Sequence, residues 1–187
     1  MKKIKLLISL LLVAFFVSGC DNNNIHHVEM SIKDYGVIKL DLDEDIAPVT
    51  VKNFIKLVNE GFYDGLTFHR IIDGFMIQGG SPTHDSNGGL NNKIKGEFKQ
   101  NGFENTLSHK RGVISMARAQ DFNSASCQFF IVQKDSTFLD GSYASFGYVT
   151  EGMEIVDRIA ENTIVEDDNG TVLLENQPVI EYIKEID

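Results

Sequence analysis

The sequence predicts a mainly β protein, an antiparallel sheet closed into a barrel with two capping α-helices. Short segments of period-two alternation recur along the chain, whereas only two segments carry helical spacing. The strands do not alternate regularly with helices, which disfavours a doubly wound parallel sheet. With 187 residues, 42% of them apolar and 24% charged, the chain suits one domain with a buried core and a short appendage.

The elements follow in order. Val28, Met30 and Ile32 alternate with polar residues, Asp34-Tyr35-Gly36 supplies a turn, and Val37 to Leu42 resumes, which predicts a hairpin. Pro48 suits the first turn of a helix, Val51, Phe54, Ile55 and Val58 fall on one face, and Gly61 is a natural stop. Short strands are expected at Thr67–Ile72, Phe75–Gln78, Val113–Met116, Phe129–Gln133 and Phe146–Val149. Ser81 to Asn92, rich in Gly, Ser, Asn and Asp, reads as a long surface loop. Met153 to Glu161 predicts the second helix, Asp168-Asn169-Gly170 a late hairpin turn, and Val179 to Ile183 a closing strand.

The N-terminus is a separate object. Lys2, Lys3 and Lys5 make a positive start, and the twelve residues Leu6 to Val17 are apolar except for Ser9. A spanning helix needs about 20 apolar residues, so this run fits the apolar region of an export signal. It ends Val17-Ser18-Gly19-Cys20, which resembles the bacterial lipobox, in which the cysteine becomes the lipid-bearing first residue. The expected organisation is a lipoprotein signal over residues 1–19, a lipidated Cys20 and tether over 20–27, and one folded domain over 28–187. The multiple acyl chains that the resemblance implies would anchor the protein firmly to a bacterial membrane, on the extracytoplasmic side of the cell envelope. Asp21 to Asn24 reads as tether, and the vicinal pair His26-His27 as solvated linker.

Charge and missing motifs exclude several functions. Seventeen basic against 27 acidic side chains give −10, and because three lysines and no acid lie before Cys20, the chain from there on carries −13. That argues against nucleic acid as a partner. No G-x-S-x-G elbow, P-loop, C-x-x-C or H-E-x-x-H occurs. Asp41, Asp43 and Asp45 suggest a calcium loop, but Ile46 stands where the turn needs Gly and Lys52 where the bidentate Glu belongs. No metal and no cofactor is expected. Cys127 reads as a small core packer, since no basic partner is near it in sequence.

Three segments carry specific local wording: Phe68-His69-Arg70-Ile71-Ile72 leading into Gly74-Phe75-Met76-Ile77-Gln78-Gly79-Gly80, then Ser115-Met116-Ala117-Arg118-Ala119, then Gln128-Phe129-Phe130-Ile131. In their order and spacing, from about Val28 to Ile183, they resemble the cyclophilin family of peptidyl-prolyl isomerases in a bacterial form. The resemblance implies an eight-stranded barrel with two helices, and catalysis of X–Pro bond rotation in exported polypeptides by a monomer. Two alternatives stay open: a non-catalytic proline-binding or chaperone-like module, which could have lost Arg70, Gln78 or Phe130, and a hydrolase, which no motif supports.

The implied chemistry needs no nucleophile. The amide resonance barrier is about 18–20 kcal/mol, and twisting returns a lone pair to the nitrogen. A guanidinium placed there gains a hydrogen bond that the planar ground state cannot offer. By resemblance Arg70 is that donor, and Phe75, Met76, Phe130 and Leu139 line the proline pocket. Gln78 positions Arg70 or the substrate, Gln128 faces the groove, and Ala117 and Arg118 offer main-chain hydrogen bonds to the peptide. His69 matches a mainly structural position. Phe138 stands where many eukaryotic members carry Trp, and Tyr143 where they carry His; Trp helps to bind cyclosporin, so tight inhibition is not carried over. Tyr143 still offers an aromatic wall.

Overall fold

The computed structural model describes residues 24–186; the expected signal segment and Cys20 lie outside the described residues. The described elements are β1 (Ile25–Ile32), β2 (Gly36–Asp43), α1 (Pro48–Asn59), β3 (Phe68–Ile72), β4 (Met76–Gly79), β5 (Val113–Met116), β6 (Phe129–Val132), β7 (Ser145–Glu151), α2 (Met153–Asn162) and β8 (Ile180–Ile186). The strands form one antiparallel sheet in the order β3-β4-β6-β5-β7-β2-β1-β8. Each expected strand and helix forms, with ends moved by a few residues.

The sheet curls because one face of nearly every strand is apolar. Val28, Met30 and Ile32 of β1 and Ile38, Leu40 and Leu42 of β2 are all but fully buried. The apolar stripe of α1 drives Phe54 into this concavity, where its ring lies 5.0–5.5 Å from those of Tyr63, Phe129 and Phe146. Ile155, Val156 and Ile159 do the same for α2. Gly147 is required where β7 crosses β2, since a Cβ there would stand 2.3 Å from the Asp41 carbonyl oxygen. Cys127 is fully buried in this core, and burial pushes its thiol pKa up.

No local side chain caps α1. The buried Glu97, 47 residues downstream of Thr50, does so instead: its carboxylate accepts from Val49 N (3.0 Å), Thr50 N (2.8 Å) and Thr50 Oγ1 (2.7 Å). The two backbone N–H groups are donors that a helix start leaves unsatisfied, and the positive end of the helix favours the charge.

The expected closure is not made by a strand ladder. Where β3 and β8 would meet, an isolated Thr67–Val179 bridge is flanked by bonds from Ile180 N to Leu66 O (2.8 Å) and Phe68 N to Pro178 O (3.0 Å). The rest of the free edge of β3 is occupied by the segment after the Asp168-Asn169-Gly170 turn: Ile71 N donates to Gly170 O (2.8 Å) and Val172 N to His69 O (3.1 Å). That segment uses the backbone groups that closure would need, so the sheet is a curled half-barrel. The late turn therefore serves β3 more than a hairpin of its own.

The tether boundary also differs from expectation. β1 begins at Ile25, so His26 and His27 are strand residues rather than linker. His26 Nδ1 meets Glu185 Oε1 (2.5 Å) and its Nε2 meets Glu44 Oε1 (2.9 Å), while His27 Nδ1 meets Asp41 Oδ1 (2.6 Å). Strand pairing brings these acids, distant in sequence, to the pair. Burial works against a charge on His26, but the hydrogen bonds to Glu185 and Glu44 outweigh it and raise its pKa above 6.5. Such a group stabilises fully below its unfolded pKa and loses that contribution as pH rises through the folded one. His26→Ala is accordingly expected to lower stability by about 1 kcal/mol near pH 6. In thermal melts the difference should shrink by pH 9; a deficit independent of pH would refute the pairing.

Candidate active site

Period-two alternation sorts neighbouring residues to opposite faces of the sheet. Phe129, Ile131, Ile77 and Ile114 join the main core, whereas Phe130, Val132, Met76 and Val113 form a second apolar cluster. In register, Arg70 of β3 faces Gln78 of β4, Gln78 faces Phe130 of β6, and Phe130 faces Ser115 of β5. One row across four strands thus carries a cation, an amide and an aromatic ring.

Around that row lies a cavity of about 150 Å³, lined by Arg70, Phe75, Met76, Gln78 and Ala117 together with Arg118, Phe130, Leu139 and Tyr143. A cavity of about this volume has room for a six-membered ring, and so for the smaller pyrrolidine. Phe130 is its floor, stacked on His109 (centroids 6.0 Å, interplanar angle 13°) and edge-on to Tyr143 (5.9 Å). His109 is buried, with Nδ1 on Asp140 Oδ1 (2.8 Å) and Nε2 on Ser115 Oγ (3.0 Å). Burial lowers its pKa although Asp140 opposes the shift.

Arg70 is half-buried and doubly held. Its Nε donates to Asn169 O (2.8 Å) and its Nη1 to Gln78 Oε1 (3.3 Å). Among the described residues Nη2 has no acceptor, so its donors are unengaged in a side chain that lines the cavity. Burial lowers its pKa, against the pull of Tyr143 and Asp167, yet a guanidinium stays charged at any physiological pH. Gln78 Nε2 continues the chain to Gln128 Oε1 (2.8 Å), whose Nε2 donates to Gly88 O (2.5 Å). The loop at Ser81–Asn92 is therefore tied to the site rather than merely solvated.

Two expected residues stand outside this cavity. Gln128 lines an adjoining cavity of about 350 Å³, which shares Gln78, Ala117 and Arg118 with the first. Phe138 is 73% exposed and packs at the rim against Phe75, with centroids 5.5 Å apart. Of the main-chain groups expected to pair with a peptide, Ala117 N donates to Gln128 O (2.9 Å), and among the described residues the Ala117 carbonyl and the Arg118 N–H remain unpaired. The Arg118 side chain is equally engaged: its Cζ lies 4.8–5.1 Å from the Tyr143, Phe122 and Phe98 rings, and it donates to Ser142 O (2.9 Å) and Ala119 O (2.9 Å). His69 is buried without a hydrogen-bond partner, and burial lowers its pKa to about 4, so its ring is neutral at physiological pH.

The Asn169 carbonyl, His109 and the Arg118 cage escaped the reading of the sequence. Each depends on at least one distant partner: 99 residues separate Arg70 from Asn169, 31 separate His109 from Asp140 and 24 separate Arg118 from Ser142.

A small cavity walled by Phe75, Met76, Phe130, Leu139 and Tyr143, with a fixed guanidinium and an amide beside it, has room for a five-membered ring and a donor to set against it. Comparison with known proteins agrees. The sequence model of the cyclophilin type peptidyl-prolyl cis-trans isomerase/CLD family matches residues 27–184, and the chain belongs to that family. It is 46% identical over 131 residues to peptidyl-prolyl cis-trans isomerase A of Dickeya dadantii, covering 67% of each chain. It is 41% identical over 136 residues to peptidyl-prolyl cis-trans isomerase B of Bacillus subtilis, covering 73% of this chain and 92% of the relative. A crystal structure of a cyclophilin type isomerase from Cryptosporidium parvum superposes with a TM-score of 0.76 at 29% identity, covering 87% of this chain and 98% of that one. A structure of the same protein in the presence of the dipeptide Ala-Pro gives 0.75 at 30% identity, with 86% and 99% covered.

Proposed function

We propose that the chain rotates X–Pro bonds in exported polypeptides from a lipid-anchored position in the cell envelope, with Arg70 as the donor to the twisting amide. The Arg70–Gln78 pair at the lip of the 150 Å³ cavity is the observation that carries this reading. The proline ring sits on Phe130 between Met76, Phe75 and Leu139, and Tyr143 closes one side. The Ala117 carbonyl and the Arg118 N–H pair with the extended peptide. Arg70, held by Asn169 and Gln78, meets the nitrogen lone pair as it forms. Because that bond exists only when the amide is twisted, it lowers the barrier rather than stabilising the bound ground state. Each 1.36 kcal/mol so gained is worth about tenfold in rate.

The test is the isomerisation rate of a short X–Pro peptide with the full-length protein in detergent. Acceleration is expected; binding without acceleration would favour a proline-binding module instead. Anchoring is tested separately. Cys20→Ala is expected to remove acylation and move the protein from the membrane to the soluble fraction. Unchanged membrane attachment would overturn the lipobox reading and leave the enzyme untouched.

A further inference from the structure

We infer that Gln133 is a positioning residue for the proline pocket, holding Phe75 in place through the turn that carries it. The inference rests on the function proposed above. Phe75 ends a tight turn from β3 to β4, closed by Phe75 N donating to Ile72 O (3.0 Å), in which Gly74 has φ +76°. Gln133, just past β6 and only 7% exposed, grips this turn at three points. Its Oε1 accepts from Gly74 N (2.5 Å), its Nε2 donates to Asp73 Oδ1 (3.1 Å), and its backbone N donates to Phe75 O (2.8 Å). Among the described residues Gly74 N has no other partner.

The clamp is itself braced. Gln133 O accepts from Arg111 Nη1 (2.8 Å), and Arg111 is bidentate with Asp157 of α2 (2.7 and 2.6 Å). The outer wall of the pocket is thus tied through one amide to the helix on the far side of the sheet. The charged groups facing this amide are Asp73 from the turn, Asp157 from α2 and Arg111 from the segment before β5. Asp135 lies one step further out, bonded to Arg111 N and Lys110 Nζ.

The test uses kcat and KM for an X–Pro peptide, from NMR exchange with the full-length protein in detergent, at pH 7.5 and pH 5. In Gln133→Glu the new carboxylate still accepts from Gly74 but has no proton to offer Asp73, and it faces two aspartates. KM is expected to rise about fivefold to tenfold at pH 7.5, the equivalent of about one hydrogen bond, with kcat little changed. Burial of the site and the charge on Asp73 raise the pKa of the new carboxyl, while Arg111 and Asp157 offset each other in their bidentate pair, so by pH 5 it regains a proton and KM falls back towards that of the unsubstituted protein. Gln133→Leu, which can do neither, keeps its raised KM at both pH values. A KM unchanged in both variants, or a Gln133→Glu deficit equally large at pH 5, overturns the inference. Failure of the unsubstituted protein to accelerate isomerisation would instead overturn the functional reading.

Discussion

Arg70→Ala is expected to lower kcat/KM for an X–Pro peptide by about 10²–10³-fold, the usual consequence of removing one donor aimed at a transition state. The loss should fall on kcat, because the ring pocket remains and the bond to the amide nitrogen forms only on twisting. Stability should fall by about 1 kcal/mol, since the hydrogen bond to Asn169 O goes but no buried group is left charged. Arg70→Lys is expected to fall between the two. It restores the charge without the planar fork that binds Asn169 and Gln78 while leaving Nη2 free. An undiminished kcat in Arg70→Ala would end the proposed mechanism, though not the family assignment.

Phe130→Ala is the second large effect. The ring is 5% exposed, and Phe to Ala at a buried site removes about 3–5 kcal/mol of stability. The substrate loses as well. A proline ring offers three methylenes at about 0.8 kcal/mol each when buried, so losing most of that contact weakens kcat/KM by about 10-fold to 50-fold. Here, unlike Arg70→Ala, KM should rise. Phe130→Leu separates the two losses: it refills most of the volume and should recover stability, but it cannot restore the face that lies against His109 and meets the substrate ring. Affinity fully restored in Phe130→Leu would show that the pocket floor is shape alone.

The contrast between Phe129 and Phe130 shows how far a sequence can be read. Alternation alone dictates that the two rings point to opposite faces, and it does not say which face is the barrel interior. The same holds for Ile77 and Gln78. The family resemblance pointed Gln128 at the groove, but its bond to Gly88 was not legible, because the two lie 40 residues apart with β5 between them. His26 was misread for a similar reason. A polar pair beside a polar run looks like linker until β1 is seen to pair with both β2 and β8, bringing up Asp41, Glu44 and Glu185.

The strands, the two helices and the acidic balance were determined by the sequence itself, whereas the residues around Arg70 were legible only through the family resemblance of the segments that carry them. Strands and helices are properties of neighbours in the chain, governed by side-chain alternation, helical spacing and turn chemistry over a few residues. Tertiary structure alone decided that the sheet curls without a closing ladder, that Glu97 caps α1, that Asn169 holds Arg70 and that Gln133 clasps the turn of Phe75. Those contacts join residues about 47 to 99 apart, or in the case of the sheet depend on which strands sit side by side. Periodicity tells a strand which face to bury, and only the folded chain settles which backbone groups remain free for the next segment to take.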